Sequence, residues 1–303
     1  MVTPIFSVSN VTKEYRTGFW GRRTRVLQNV DLIVAEGEAV GFIGHNGAGK
    51  SSTIRLMLGL QAPTSGTVMI RGRPANDPLA RVGVSYLPEI PLLYDYLTPG
   101  ELLRMALHFH NFQGDCEQQI KVWLDRMRIQ EVANKRVKGF SKGMSQRVAL
   151  AMALCAEPSV LVLDEPLSGL DPVGRREVVE ILEEYRQKGG TLFFSSHVLS
   201  DVERLADRFV FIHQGKIGAS YSVDSVLKAS ANSYELTVCT DAPPAGYERI
   251  GRNLWRRQVS SESLAESISQ ILDCGGLLHS VRSSSNLEDL YLGLMSAGDL
   301  RRG

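Results

Sequence analysis

No stretch of this chain approaches the ~20 consecutive apolar residues that a membrane-spanning helix needs. Met1 to Asn10 contains no basic region followed by an apolar core, so no secretory leader is expected. Cysteine is scarce. The four, Cys116, Cys155, Cys239 and Cys274, lie far apart and form no C-x-x-C pair. That spacing argues against a disulfide framework or a thiolate metal site, and predicts buried free thiols in a reducing, cytosolic compartment. Net charge is only +1, so no global basic signal points to a nucleic-acid partner. What remains is 303 residues, 43% hydrophobic and 22% charged. This is the composition of a soluble globular protein with room for two domains.

The most informative stretch is Gly44-His45-Asn46-Gly47-Ala48-Gly49-Lys50-Ser51. It matches the P-loop pattern G-x-x-x-x-G-K-[ST] at every fixed position. Val40 to Ile43 before it reads as a buried strand, and Ser52 to Leu58 after it as a helix. Glycines let successive backbone N–H groups converge on one anion, and the helix start adds free N–H groups and positive dipole. Lys50 is placed to reach the β- and γ-phosphates, and the Ser51 hydroxyl to ligate Mg²⁺. Nucleotide-phosphate binding is the expected activity.

The rest of the chain supports an α/β reading. Phe6–Val11 and Val30–Val34 read as strands, with a turn at Gly18 and Gly21 between them. Thr67–Arg71 and Val82–Leu87 follow as strands, the latter ended by Pro88-Glu89. From Pro99 to about Met127, apolar spacings of three and four predict helices with one buried face. His108 and His110 sit at i, i+2 and so do not share a helix face, which argues against a metal pair. Phe140–Arg147 leads into an apolar helix, Val148 to Ala156. Val160–Leu163 reads as a fully buried parallel strand closed by Asp164 and Glu165. Ligands bind beyond such strand ends in open α/β sheets. A helix-capping pair is the plain alternative for the two acids. Alternation along a strand would point them to opposite sides. Asp171-Pro172 opens a helix, Thr191–Ser195 is another buried strand ending near His197, and Leu199–Ala206 is helical. Strands at Arg208–His213 and Lys216–Ser220 follow. After about Ala229 a small α+β unit is expected: strands at Tyr234–Val238 and Leu277–Val281, helices at Glu262–Leu272 and Leu287–Met295. Apolar faces through Leu236, Val238, Ile268, Ile271, Leu272, Leu290 and Leu294 would give it a modest core. It carries no motif, and its mixed charges do not favour nucleic acid.

Taken in order, these motifs resemble the ATP-binding subunits of ABC transporters over about residues 5 to 220. Ser141–Gln146 stands where that family has its L-S-G-G-Q signature. Leu161–Glu165 matches its Walker B strand and catalytic glutamate, Ser168–Asp171 its D-loop, His197 its switch histidine and Tyr15 its adenine-stacking aromatic. The resemblance implies a P-loop NTPase core of the ABC ATPase type, residues 1–225, with a helical insert near 99–155 and a C-terminal accessory domain at 230–303. It implies ATP held by Tyr15, Gly44, Asn46, Gly47, Ala48, Gly49, Lys50, Ser51 and Ser52, with Mg²⁺ near Ser51, Glu89 and Asp164. Glu165 would activate water, with Lys50 and His197 as further catalytic groups. Ser141, Gly143 and Asp171 would face ATP on a second subunit, making the working unit a dimer. Two departures stand out. The signature carries Lys142 and Met144, and Glu89 replaces the usual glutamine. Both resemble an exporter branch whose permeases are separate chains, as does the tail Leu287–Leu292. The expected role is an ATPase at the cytoplasmic face of a membrane, peripheral through its permease. A soluble ABC-type ATPase acting on nucleic acid or ribosomes is the alternative. One cassette and no long coiled-coil insert argue against it.

Overall fold

The computed structural model describes residues 4–17, 22–230, 233–241, 243 and 245–283. In chain order the elements are β1 (Pro4–Thr17), β2 (Arg22–Ala35), β3 (Ala39–Ile43), α1 (Lys50–Met57), β4 (Ser65–Ile70), β5 (Arg73–Pro74) and β6 (Val84–Leu87). Then come α2 (Pro99–Phe109), α3 (Cys116–Arg126), α4 (Lys142–Leu154), β7 (Val160–Asp164), α5 (Pro172–Gln187), β8 (Thr191–Ser196), α6 (Leu199–Leu205), β9 (Arg208–His213) and β10 (Lys216–Ser222). The last described are α7 (Val223–Ser230), β11 (Ser233–Cys239), β12 (Glu248–Arg249), β13 (Leu254–Ser260), α8 (Ser261–Asp273) and β14 (Leu277–Ser283). The chain divides between Ser220 and Tyr221 into two compact units.

A six-stranded sheet in the order β10-β9-β3-β8-β7-β6 is the centre of the first unit. The pairings of β9 with β3, β3 with β8, β8 with β7 and β7 with β6 are all parallel. Every residue of β3, β7 and β8 is buried. This fits their apolar composition, because parallel strands are covered on both faces. Phe42, Phe193 and Leu163 among them are essentially inaccessible, each burial stabilising the fold by about 1.5–3 kcal/mol. A second, antiparallel sheet, β2-β1-β4-β5, contributes Phe6, Leu27 and Ile70 to the same core as Phe42 and Phe193.

Between β6 and β7 the chain is helical. α2 begins with a reciprocal cap, in which Thr98 Oγ1 accepts from Glu101 N and the Glu101 carboxylate accepts from Thr98 N. Its apolar face buries Leu102, Leu103, Ala106 and Leu107. α4 starts earlier than the apolar run at Val148 suggests. Ser141 is its N-cap, its hydroxyl accepting from Met144 N at 3.2 Å, so the helix begins inside the Ser141–Gln146 motif.

The second unit is a four-stranded sheet, β12-β13-β11-β14, with α8 against β11, β13 and β14. Leu236, Val238, Val259 and Ile271 are the buried apolar residues of this sheet and α8, and Val223 and Val226 of α7 are buried as well. Leu272 is 57% exposed instead, because the next position along α8 is turned about 100° away from Ile271. Leu290, Leu294 and the helix expected at Leu287–Met295 lie outside the described residues, as does the turn at Gly18 and Gly21. All four cysteines are free, but only Cys155 is buried, with its thiol pushed up to about 12 by burial; Cys274 is exposed.

Candidate functional site

Three adjacent strands deliver the site. β3, β8 and β7 lie side by side in parallel, with Ile43 opposite Ser196 and Ser195 opposite Asp164. Their C-terminal ends therefore place the glycine loop, His197 and the Asp164–Glu165 pair in one row.

The loop after β3 winds tightly. Gly47 and Gly49 take left-handed backbone angles, Gly49 at φ +114°, and Gly49 caps α1. A Cβ at Gly44 would stand 2.6 Å from Ile212 O, and one at Gly49 would stand 2.7 Å from a Leu27 methyl. Only glycine fits either position. Ala48 is fully buried and Asn46 and Gly47 are exposed at the loop's outer edge. The turn after β9 braces the loop, with Gly215 N donating to Ala48 O at 2.9 Å. No acid occupies the first turn of α1, so its positive end is left for an anion. Ser51 and Ser52 sit half-buried in that turn.

Lys50 is buried. Its ammonium donates to Gly44 O at 2.6 Å and forms an ion pair with Glu165 Oε1 at 3.0 Å. The second contact lacks hydrogen-bond alignment, and Oε1 has no hydrogen-bond partner among the described residues. Glu165 Oε2 lies 2.7 Å from His197 Nδ1. Glu165 is not on the strand. β7 ends at Asp164, and Glu165 takes a left-handed conformation at φ +51°. The separation of the two acids thus comes from this backbone turn and not from strand alternation. Asp164 is 1% exposed and its Oδ1 accepts from Ser195 Oγ at 2.6 Å. The same Ser195 oxygen accepts from Glu165 N at 2.9 Å, so one hydroxyl holds both acids. Sequence reasoning missed Ser195; the signal was a polar residue inside a buried strand. Burial pushes the nearby Tyr86 phenol up, the Asp164 carboxylate adds to this, and Arg55 opposes it.

A polar cavity of about 190 Å³ opens beside this cluster, lined by Glu165, Ser168, Arg175, Ser196, His197 and Asp201. Ser141 is exposed at the start of α4 and Gly143 is half-buried beside Gly169. Asp171 caps α5 through Gly174 N at 3.1 Å. Tyr15 lies apart, on β1 of the antiparallel sheet. Its hydroxyl donates to Gln61 Oε1 at 2.6 Å and Lys13 lies over its ring. Glu89 is exposed two residues beyond β6, and no bond joins it to the other site residues among those described.

The donor set suits a hard cation held with phosphates. No cluster of three or more His, Cys, Asp or Glu side chains could hold a metal alone among the described residues. Mg²⁺ in phosphoryl-transfer sites needs only one or two carboxylates, with waters and phosphate oxygens completing the shell. Asp164, which is buried, and the Ser51 hydroxyl fit that requirement.

A protein-family profile described as ABC transporter matches residues 27–168. An uncharacterised ABC transporter ATP-binding protein of Nostoc sp. is 39% identical over 77% of this chain and 70% of its own length. The Nod factor export ATP-binding protein I of Paraburkholderia xenovorans is 31% identical over 91% of this chain and 93% of its own. Among solved structures, a dimeric bacterial ABC transporter cassette superposes with a TM-score of 0.65 at 26% identity, covering 72% of this chain and 98% of that one.

Proposed function

This chain belongs to the family of ABC transporter ATP-binding proteins, and from that premise we propose that it hydrolyses ATP to drive an exporter whose permease is a separate chain. The observation that carries the reading is the convergence of Lys50, Asp164, Glu165 and His197 at three neighbouring strand ends. In this reading the loop amides and Lys50 hold the β- and γ-phosphates, and Tyr15 stacks on the adenine. Ser51 and Asp164 would hold Mg²⁺, which would supply charge neutralisation on the phosphates. Glu89 would join them as a further ligand. Glu165, released from Lys50 by the incoming phosphates, accepts the proton of the attacking water. His197 keeps Glu165 oriented and bonds the γ-phosphate.

Hydrolysis occurs between two copies of the cassette, with Ser141, Gly143 and Asp171 of one facing the ATP of the other. The dimeric solved relative supports this arrangement. The Nod factor export relative supports the exporter assignment. No helix among the described residues is long and apolar enough to cross a membrane. The location this reading implies is the cytoplasmic face, held there by the permease. An apolar groove of about 450 Å³ between the end of β6 and helices α2 and α4 is where the permease would seat. Leu92 on its rim is 92% exposed and Phe109 is 74% exposed, an apolar display that water disfavours.

Membrane fractionation tests this. The wild-type chain co-expressed with its permease should sediment with membranes. Leu92→Asp should move it to the soluble fraction with ATP binding intact. Retention of Leu92→Asp on the membrane would remove the groove as the docking site.

A further inference from the structure

We infer that Lys142 is a positioning residue for hydrolysis, strapping the first turn of α4 to the loop that follows Glu165. The inference rests on the ATPase reading above and adds to it a residue for which that reading has no role.

Lys142 Nζ donates to Ser168 Oγ at 2.9 Å, across 26 positions of sequence. Its stem lies flat on Gly169: a Cβ there would stand 2.6 Å, 2.7 Å and 2.9 Å from Lys142 Cδ, Cγ and Cε. Gly169 is itself left-handed at φ +80°. One turn further along the same face of α4, Gln146 is fully buried and its Nε2 donates to Pro166 O at 2.7 Å. The two side chains thus grip the loop at Pro166 and Ser168.

That loop starts at Glu165. Ser168 N donates to Glu165 O at 3.1 Å and closes a turn on it. Glu165 is in a conformation that non-glycine residues rarely adopt, so it persists only where its surroundings enforce it. Ser195 holds its N–H side. Lys142 and Gln146 hold the turn on its carbonyl side. Between these anchors the carboxylate stays aimed at Lys50 and His197. A lysine in the first turn of a helix is electrostatically disfavoured, and the first turn of α4 contains no acid to offset it. The ammonium at this position therefore gains its favourable contact from the loop and not from its own helix.

The test compares Lys142→Met, Lys142→Arg, Ser168→Ala and Lys142→Met/Ser168→Ala in the full chain. Two quantities are read: steady-state ATP hydrolysis, and hydrogen exchange at the Ser168 amide that donates to Glu165 O. Lys142→Met should lower kcat about 5- to 10-fold with KM for ATP unchanged, and speed Ser168 exchange about tenfold. Lys142→Arg should restore both. Ser168→Ala should match the kcat loss, and the double variant should fall no further, because the two residues act as one unit. Wild-type exchange at Ser168 in Lys142→Met would overturn the inference. So would losses that multiply in the double variant, or a raised KM with kcat retained, which would make the ammonium a nucleotide contact. A wild-type chain without ATPase activity would refute the proposed function instead, and the exchange comparison would still decide the strap.

Discussion

Lys50 and Glu165 form a buried ion pair at 3.0 Å, both side chains under 10% exposed, in the pocket where phosphates are expected. In the proposed mechanism these are the general base and the phosphate-binding lysine, and they neutralise each other until a nucleotide separates them. Removing one partner of a buried pair costs about 3–5 kcal/mol, because the other charge is stranded. In the nucleotide-free protein, Lys50→Ala should therefore lower the melting temperature of the cassette by about 6–20 °C, at about 2–4 °C per kcal/mol for a unit of this size. Lys50→Ala/Glu165→Gln should recover more than half of that loss. Calorimetry of wild type, Lys50→Ala, Glu165→Gln and the double variant checks it, and a double variant as unstable as the two single losses summed would show that the pair is not coupled.

A second prediction concerns His110, at the end of α2 and 3.4 Å from Ser85 Oγ. Partial desolvation of its ring lowers its pKa below 6.5. Between the folded value and 6.5 the unfolded chain binds more protons, so stability rises with pH across that window. The contribution is complete above about 6.5 and is lost as pH falls toward the folded value. Urea midpoints at pH 7.5 and pH 5.5 should differ less in His110→Gln than in wild type. Equal differences would place the acid sensitivity elsewhere.

A third concerns the second unit. Every residue assigned to the ATP site lies between Tyr15 and His197, and the residues after Ser230 have their own buried set in Leu236, Val238, Val259 and Ile271. A chain ending at Ser230 should fold and bind ATP with unchanged affinity, and differ from the full chain in dimerisation or transport. Titration calorimetry and sedimentation measure both. A folded truncated chain that does not bind ATP would show that the tail completes the site.

The site was legible where chemistry is local. The glycine spacing marks Gly44 to Ser51, and the apolar runs within β3, β7 and β8 mark strands buried on both faces, beyond whose ends ligands bind in such sheets. What could not be read was set by contacts distant in sequence. Ser195 bridges Asp164 and Glu165 from 31 and 30 residues away, and only the parallel register of β7 and β8 brings it there. The left-handed turn at Glu165 overrides the alternation that the sequence suggests. In the second unit, β13 was not anticipated, because Leu254–Ser260 interleaves Trp255 with Arg256 and Arg257 and shows no clean apolar face. Its hydrogen bonds to β11 hold it as a strand.

The most direct test of the central claim is phosphate release from ATP by the full-length chain and by Glu165→Gln, with and without Mg²⁺. Wild type should turn over only with Mg²⁺, and Glu165→Gln should bind ATP normally while turning over at least about 100-fold more slowly, as loss of a general base requires. Phosphate release by Glu165→Gln at the wild-type rate would contradict the role assigned to Glu165 and the reading of this cluster as the hydrolytic centre.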